Sequence, residues 1–178
     1  EEFFAGKMKA KTSMQGMPLD DMLAQMADAG VERAFLFAPK AGRKGLPGSF
    51  HLPYEIVARA IEKYPGRFYG LAGLDPFEGM HGVRALEEAV KNMGFIGAHL
   101  YPHWFDLPPD HAKYYPFYAK CCELGVPIQM QVGQSMVYAK EQPMRSVGRP
   151  ILLDGIACDF PELKLIGIHV GIPWADEM

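Results

Sequence analysis

Leu165-Ile166-Gly167-Ile168-His169-Val170-Gly171-Ile172-Pro173-Trp174 is an apolar run that ends on a histidine and passes at once into glycine, proline and tryptophan. An apolar run of this length, stopped by turn residues, reads as a strand covered on both faces, as in a parallel sheet. Enzymes built on parallel sheets keep their chemistry at the carboxyl ends of the strands. His169 is therefore predicted to be delivered to such an edge by the strand Leu163 to His169.

The pattern upstream repeats the same unit. From Pro18 onward an amphipathic helical stretch, a Gly or Pro break and a short apolar strand follow one another, and this alternation predicts a parallel sheet. Helices are predicted over Leu19 to Ala29, Pro53 to Lys63, Gly82 to Met93, Ala112 to Leu124 and Ile151 to Phe160. The strands are Val31 to Phe37, Phe68 to Leu74, Phe95 to Tyr101, Pro127 to Val132 and Leu163 to His169. The loops after strands are long and rich in Gly, Pro and aromatics (Ala38 to Leu52, Pro102 to His111, Gly133 to Gly148), whereas those after helices are short. That asymmetry places function on one face and stability on the other.

The 178 residues suffice for one domain with a real core, but fall short of the roughly 250 of a complete eight-fold barrel. An incomplete (β/α)8-type barrel of five strands in a single domain is the expectation, with two apolar edges, Val31 to Phe37 and Leu165 to Ile168, left to be covered. The net charge is -3, with 49% hydrophobic and 22% charged residues. Nothing in that balance argues for nucleic acid or an anionic membrane, and no apolar run reaches the ~18 residues of a membrane span. A small-molecule substrate is the expected partner. Three cysteines, two of them adjacent (Cys121 and Cys122, with Cys158), do not form a disulfide framework, and they point to a reducing, cytoplasmic setting.

Candidate chemistry concentrates at the predicted strand ends. An imidazole at His169 can act as base or, protonated, as acid near neutral pH; the alternative is a histidine that merely caps its strand. His103, in Tyr101-Pro102-His103-Trp104, lies just beyond the third strand. His99 shares one side of that strand with Tyr101 and reads more readily as a satisfied core group. Gln129 and Gln131 alternate on an otherwise apolar strand, so both amides need partners; an unpaired buried polar group costs about 1–3 kcal/mol. Substrate hydrogen bonding suits them better than metal ligation. Asp75-Pro76 reads as a turn, and Lys40, Arg43 and Lys44 as a solvated basic loop. Tyr114, Tyr115, Phe117 and Tyr118 recur at helical spacing and read as packing.

Taken together, Gly94-Phe95-Ile96-Gly97, Pro102-His103-Trp104, Tyr115-Pro116-Phe117-Tyr118, Gly125-Val126-Pro127-Ile128, Asp159-Phe160-Pro161-Glu162-Leu163-Lys164 and His169-Val170-Gly171-Ile172-Pro173-Trp174 resemble the amidohydrolase superfamily, in the branch typified by aminocarboxymuconate semialdehyde decarboxylase. The resemblance implies a metal-dependent (β/α)8 barrel whose strands two to six are the five strands here. It implies a divalent ion, zinc above all, and hydrolysis of a small aromatic or carboxylated substrate; non-oxidative decarboxylation is the alternative. His169 matches the family's sixth-strand acid/base, and His103, Gln129, Gln131 and Trp174 are the residues expected to meet substrate. A homo-oligomer is expected. No His-x-His pair occurs, and Gln131 stands where the family carries its fifth-strand metal-ligating histidine. That departure supports a further alternative, a metal-free binding or vestigial barrel.

Overall fold

The computed structural model describes residues 16–46, 49–134 and 147–178. By contact density the chain divides into residues 1–34 and 35–178. In the first unit, α1 covers Leu19–Asp28 with Asp20 and Asp21 in its first turn, where carboxylates complement the helix dipole. The backbone N–H groups of Gly30 and Val31 donate to Ala27 and Met26, closing the last turn.

The second unit is built on a five-stranded sheet. Its strands are β1 (Ala34–Ala38), β4 (Phe68–Gly73), β5 (Phe95–Leu100), β6 (Ile128–Gln131) and β7 (Leu165–Ile168), hydrogen-bonded in that order. The pairs from β4 to β7 are all parallel. The predicted alternation therefore forms, with the chain order of strands equal to their spatial order, as in a barrel wall. The two edges are β1 and β7, the two predicted from the apolar runs.

Helices α2 (Tyr54–Lys63), α3 (Gly79–Asn92), α5 (Tyr115–Leu124) and α6 (Leu152–Asp159) connect the strands. Their apolar residues Val57, Val83, Leu86, Phe117, Tyr118 and Ile156 share one core with Ala72, Ala98, Leu100, Ile128 and Met130 of the sheet. Side chains alternate along a strand, so the neighbours of these sheet residues, Gly73, His99, Gln129 and Gln131, belong to the opposite side. Tyr114, Phe117 and Tyr118 are fully buried, as expected of packing residues. Gly125 ends α5 in the left-handed conformation (φ 67°), as the break there predicts.

Several boundaries differ from expectation. β1 starts at Ala34 rather than Val31, and α3 starts about one turn early, at Gly79. The segment 112–124 is a short 3-10 turn (Ala112–Tyr114) followed by α5, because Pro116 favours the first turn of a new helix. The loop 38–52 contains an antiparallel pair, β2 (Lys40–Ala41) with β3 (Phe50–His51), and the turn after β5 coils into α4 (Pro102–Phe105). These pieces of two to four residues are too short for periodicity to register. Most of the predicted loop 133–148 lies outside the described residues.

The strand predicted to end on His169 stops one residue earlier. Ile168 is extended (φ -104°, ψ 162°), but His169 has φ 71° and Val170 φ 56°. Two consecutive left-handed non-glycine residues break the alternation of the strand, so the direction of the His169 side chain cannot be counted from Leu165.

Candidate functional site

Gly73 sets how closely the carboxyl ends of β1 and β4 approach. A Cβ there would stand 2.7 Å from the Lys40 backbone nitrogen and would overlap the Ala38 carbonyl oxygen. Gly73 is the register partner of His99 on β5, and His99 is the partner of Gln129 on β6. Parallel pairing thus lays the polar residues of neighbouring strands side by side at one edge.

His99 is 1% exposed. Its Nδ1 lies 3.0 Å from Gln129 Oε1, and since that oxygen only accepts, Nδ1–H donates. Its Nε2 is buried and has no hydrogen-bond partner among the described residues. Burial pulls the imidazole down to about pKa 4, against the opposing pull of the Gln129 bond, and the charge of His169 adds to the depression. Phe37 stacks on the His99 ring with 4.7 Å between centroids, and Tyr101 meets it edge-on at 4.3 Å. His99 is thus buried, as the core reading expects, but only one of its two ring nitrogens is satisfied. Its position two residues before Tyr101 was the available signal, but its partner Gln129 is 30 residues away.

His103, in α4, is 2% exposed. Its Nε2–H donates to the Gly133 carbonyl at 2.6 Å, and its Nδ1 is buried without a hydrogen-bond partner among the described residues. Burial lowers its pKa, and His169 contributes to that too. Gly148 closes over the ring; a Cβ there would stand 2.5 Å from His103 Cε1. The Gly133 N–H in turn donates to the Gly148 carbonyl at 2.6 Å. Gln131 is half-buried, and its Oε1 is buried and unpaired. His169 is exposed, and its charge reaches both buried imidazoles. The structure therefore brings together His99, His103, Gln129, Gln131 and His169. Trp174 is half-buried and carries the Arg149 guanidinium 5.7 Å above its ring, and Arg149 is paired with Glu177.

A second polar cluster lies at the ends of β3 and β4. One ligand-type atom from each of His51, Asp75 and Glu78 falls within 4.8 Å of the others. Asp75 fulfils the turn reading, since its Oδ1 accepts from Phe77 N–H at 2.8 Å. Lys40 is not free in solvent as expected, whereas Arg43 and Lys44 are exposed as predicted. Lys40 Nζ lies 2.5 Å from Glu78 Oε2, both side chains being largely buried, and Arg43 sits 4.5 Å over the Phe77 ring. The hairpin of β2 and β3 draws Lys40 in, and neither it nor the placement of His51 is visible in local sequence.

The divalent ion implied by the resemblance can be tested against these residues. In the His51, Asp75 and Glu78 cluster, the Lys40 ammonium already supplies a cation to Glu78, and His51 Nε2–H donates to the Gly42 carbonyl at 2.7 Å, the tautomer that leaves Nδ1 with its lone pair. At the strand ends the position expected for an imidazole ligand holds the neutral amide of Gln131, a weaker ligand for zinc. Among the described residues, His51, Asp75 and Glu78 are the grouping that offers three ligand atoms to an ion, with Lys40 competing for Glu78.

Comparison with known proteins gives the site its context. The profile of a family described as Amidohydrolase matches residues 5–178. A 2-keto-4-carboxy-3-hexenedioate hydratase of a Sphingobium species is 29% identical over 163 residues, covering 78% of this chain and 46% of the relative. A gamma-resorcylate decarboxylase of a Polaromonas species is 26% identical over 141 residues, covering 66% and 43%. The chain thus spans somewhat under half the length of these relatives. Among solved structures, an uncharacterised TIM-barrel protein of Bordetella bronchiseptica superposes with a TM-score of 0.74 at 23% identity, over 90% of this chain and 54% of the other. A 5-carboxyvanillate decarboxylase of Novosphingobium aromaticivorans, solved with manganese and 4-hydroxy-3-methoxy-5-nitrobenzoic acid, superposes with a TM-score of 0.67 at 18% identity, over 85% and 49%. The five-stranded unit is part of a TIM barrel. The named relatives decarboxylate or hydrate, which favours the alternative drawn from the resemblance over hydrolysis, and the ion in that solved structure is manganese rather than zinc.

Proposed function

Since the chain belongs to the amidohydrolase family, we propose that it supplies part of the active face of an enzyme that releases carbon dioxide non-oxidatively from a small hydroxylated aromatic acid, with His169 as the proton donor. The observation that carries this reading is the division of labour among three imidazoles. His99 and His103 are buried, held below the ordinary histidine range, and each tied through one N–H to an oxygen. His169 is the exposed one of the three.

Decarboxylation of a hydroxybenzoate needs one proton at the ring carbon that bears the carboxylate. Protonation there makes that carbon tetrahedral; the electrons of the carbon–carboxylate bond then return to the ring as carbon dioxide leaves. The balance is one proton in and one carbon dioxide out, with no oxidant or reductant. An acid that can be recharged from water suits the task, and the exposed His169 imidazole meets that condition. Neutral His99 and His103 keep their N–H groups on Gln129 and Gly133, so they orient rather than donate. Each of these steps is carried by side chains of this chain.

Hydration of an unsaturated carboxylic acid is the second reading, favoured by the Sphingobium relative. The same His169 proton would then go to one alkene carbon while water adds to the other. Incubation of the full-length protein with 2,6-dihydroxybenzoate separates the readings: stoichiometric resorcinol and carbon dioxide are expected. Turnover of 2-keto-4-carboxy-3-hexenedioate without carbon dioxide from the benzoate would replace decarboxylation by hydration.

A further inference from the structure

Asp75 is 2% exposed, and its two carboxylate oxygens have different surroundings. Oδ1 accepts the Phe77 N–H at 2.8 Å; Oδ2 accepts no hydrogen bond among the described residues, and the His51 Nε2 lies 3.8 Å from it. A second carboxylate is folded to the same place. The Glu78 N–H donates to the Asp75 carbonyl at 3.2 Å, closing the turn Asp75-Pro76-Phe77-Glu78, and Gly82 leaves room for the Glu78 side chain, since a Cβ there would stand 3.1 Å from Oε2. The β2–β3 hairpin brings His51 to this turn. Of the two carboxylates, Glu78 has the Lys40 ammonium at 2.5 Å, whereas Asp75, the more deeply buried, is met by no Lys or Arg among the described residues. Burying a carboxylate without an opposite charge is costly, so the turn is short of one cation.

We propose that His51, Asp75 and Glu78 hold one divalent cation, with Lys40 as a built-in competitor that occupies Glu78 until the ion displaces it. One ligand-type atom from each of the three lies within 4.8 Å of the others. That is the compactness one ion demands, since opposite ligands at about 2.0 to 2.6 Å from an ion stand about 4 to 5 Å apart. The Gly42 carbonyl, 2.7 Å from His51 Nε2, takes the ring hydrogen and holds the tautomer, as an oxygen does behind a metal-ligating histidine. A neutral ligand does not meet the case, because it brings no charge to Asp75. The carboxylates suit ions that favour oxygen and the imidazole suits transition ions; manganese meets both conditions. Lys40 has a second resting place, for its Nζ already lies 5.0 Å from the Tyr54 ring, a face that can carry the ammonium once Glu78 turns to the ion. This site is built on β3 and the turn after β4, whereas the family's ligand position falls at Gln131 on β6. It stands independently of the decarboxylation reading.

Manganese alone, titrated without substrate into full-length protein stripped of metal, tests this without turnover. In nitrogen-15 spectra of histidine-labelled protein, the ring resonances of His51, identified by their absence from His51→Gln, are expected to be broadened by the paramagnetic ion as one equivalent is added. Asp75→Asn keeps an oxygen for the Phe77 N–H and removes the charge, and the broadening of His51 is expected to be lost. Lys40→Met removes the competitor and is expected to lower the midpoint of the broadening about tenfold, since a hydrogen bond to a charged group no longer has to be broken. His51 resonances that stay sharp in the wild type, an Asp75→Asn protein that responds like the wild type, or a folded Lys40→Met protein that binds no more tightly would each overturn the proposal. So would a His51 ring protonated on both nitrogens at pH 7.5, which gives Asp75 its cation without a metal. Where Lys40→Met loses its fold, the Asp75→Asn comparison decides alone.

Discussion

His99 and Gln129 are register partners on adjacent parallel strands, and their side chains are joined by an Nδ1–H to Oε1 hydrogen bond of 3.0 Å. The pair converts a residue that looks like core into one with a defined tautomer and a bare nitrogen facing its neighbours. It also ties stability to pH.

Burial holds His99 at about pKa 4 in the folded protein, against about 6.5 in an unfolded chain. The unfolded chain therefore binds more protons between these values, and stability falls as pH falls. The contribution is fully present above pH 6.5 and is lost as pH drops through 4, up to about 3 kcal/mol in all. The titratable groups facing the ring are His169, whose charge adds to the shift, and Tyr101, in edge contact. Urea midpoints of wild type and His99→Gln at pH 7.5 and 4.5 measure it: the loss on acidification is expected to be smaller in the variant, and equal losses would contradict the assignment.

Replacing His169 tests the proton donor. His169→Asn suits the left-handed backbone at φ 71° and removes only the imidazole. Because the residue is exposed, stability is expected to stay within about 0.5 kcal/mol. The kcat for carbon dioxide release is expected to fall by about 100- to 10,000-fold with little change in KM. A rate within a factor of a few of wild type would end the role given to His169.

Gly73→Ala places a methyl group against the Ala38 carbonyl and the Lys40 backbone nitrogen. Backbone cannot rotate away as a side chain can, so a loss of about 1–3 kcal/mol is expected, read as a lower denaturation midpoint. Unchanged stability would mean that β1 and β4 can separate at no cost.

The Lys40 and Glu78 pair is largely buried, with side-chain exposures of 12% and 16%. Either single change, Lys40→Met or Glu78→Gln, is expected to cost about 1–3 kcal/mol, and a double-mutant cycle is expected to return a coupling of about 1–2 kcal/mol. Coupling near zero would make the pair an incidental surface contact.

Much of this architecture is written locally. The apolar stretches at 68–73, 95–100 and 128–131, and the amphipathic stretches between them, specify their own elements, because periodicity of two or 3.6 residues needs only the neighbours in sequence. Strand ends then follow, and with them the positions of His103, Gln129 and Gln131 near one edge. What the tertiary structure decided is partnership and direction. The tautomer of His99 depends on a register that brings residue 129 beside residue 99; the pairing of Lys40 with Glu78 spans 38 residues. The direction of His169 depends on a left-handed turn that an alternating strand pattern cannot foretell. Hydrogen bonds and burial act through space, so the sequence by itself determined which groups reach the edge, and only the fold determined which of them keep a proton, which are bare and which stand in water.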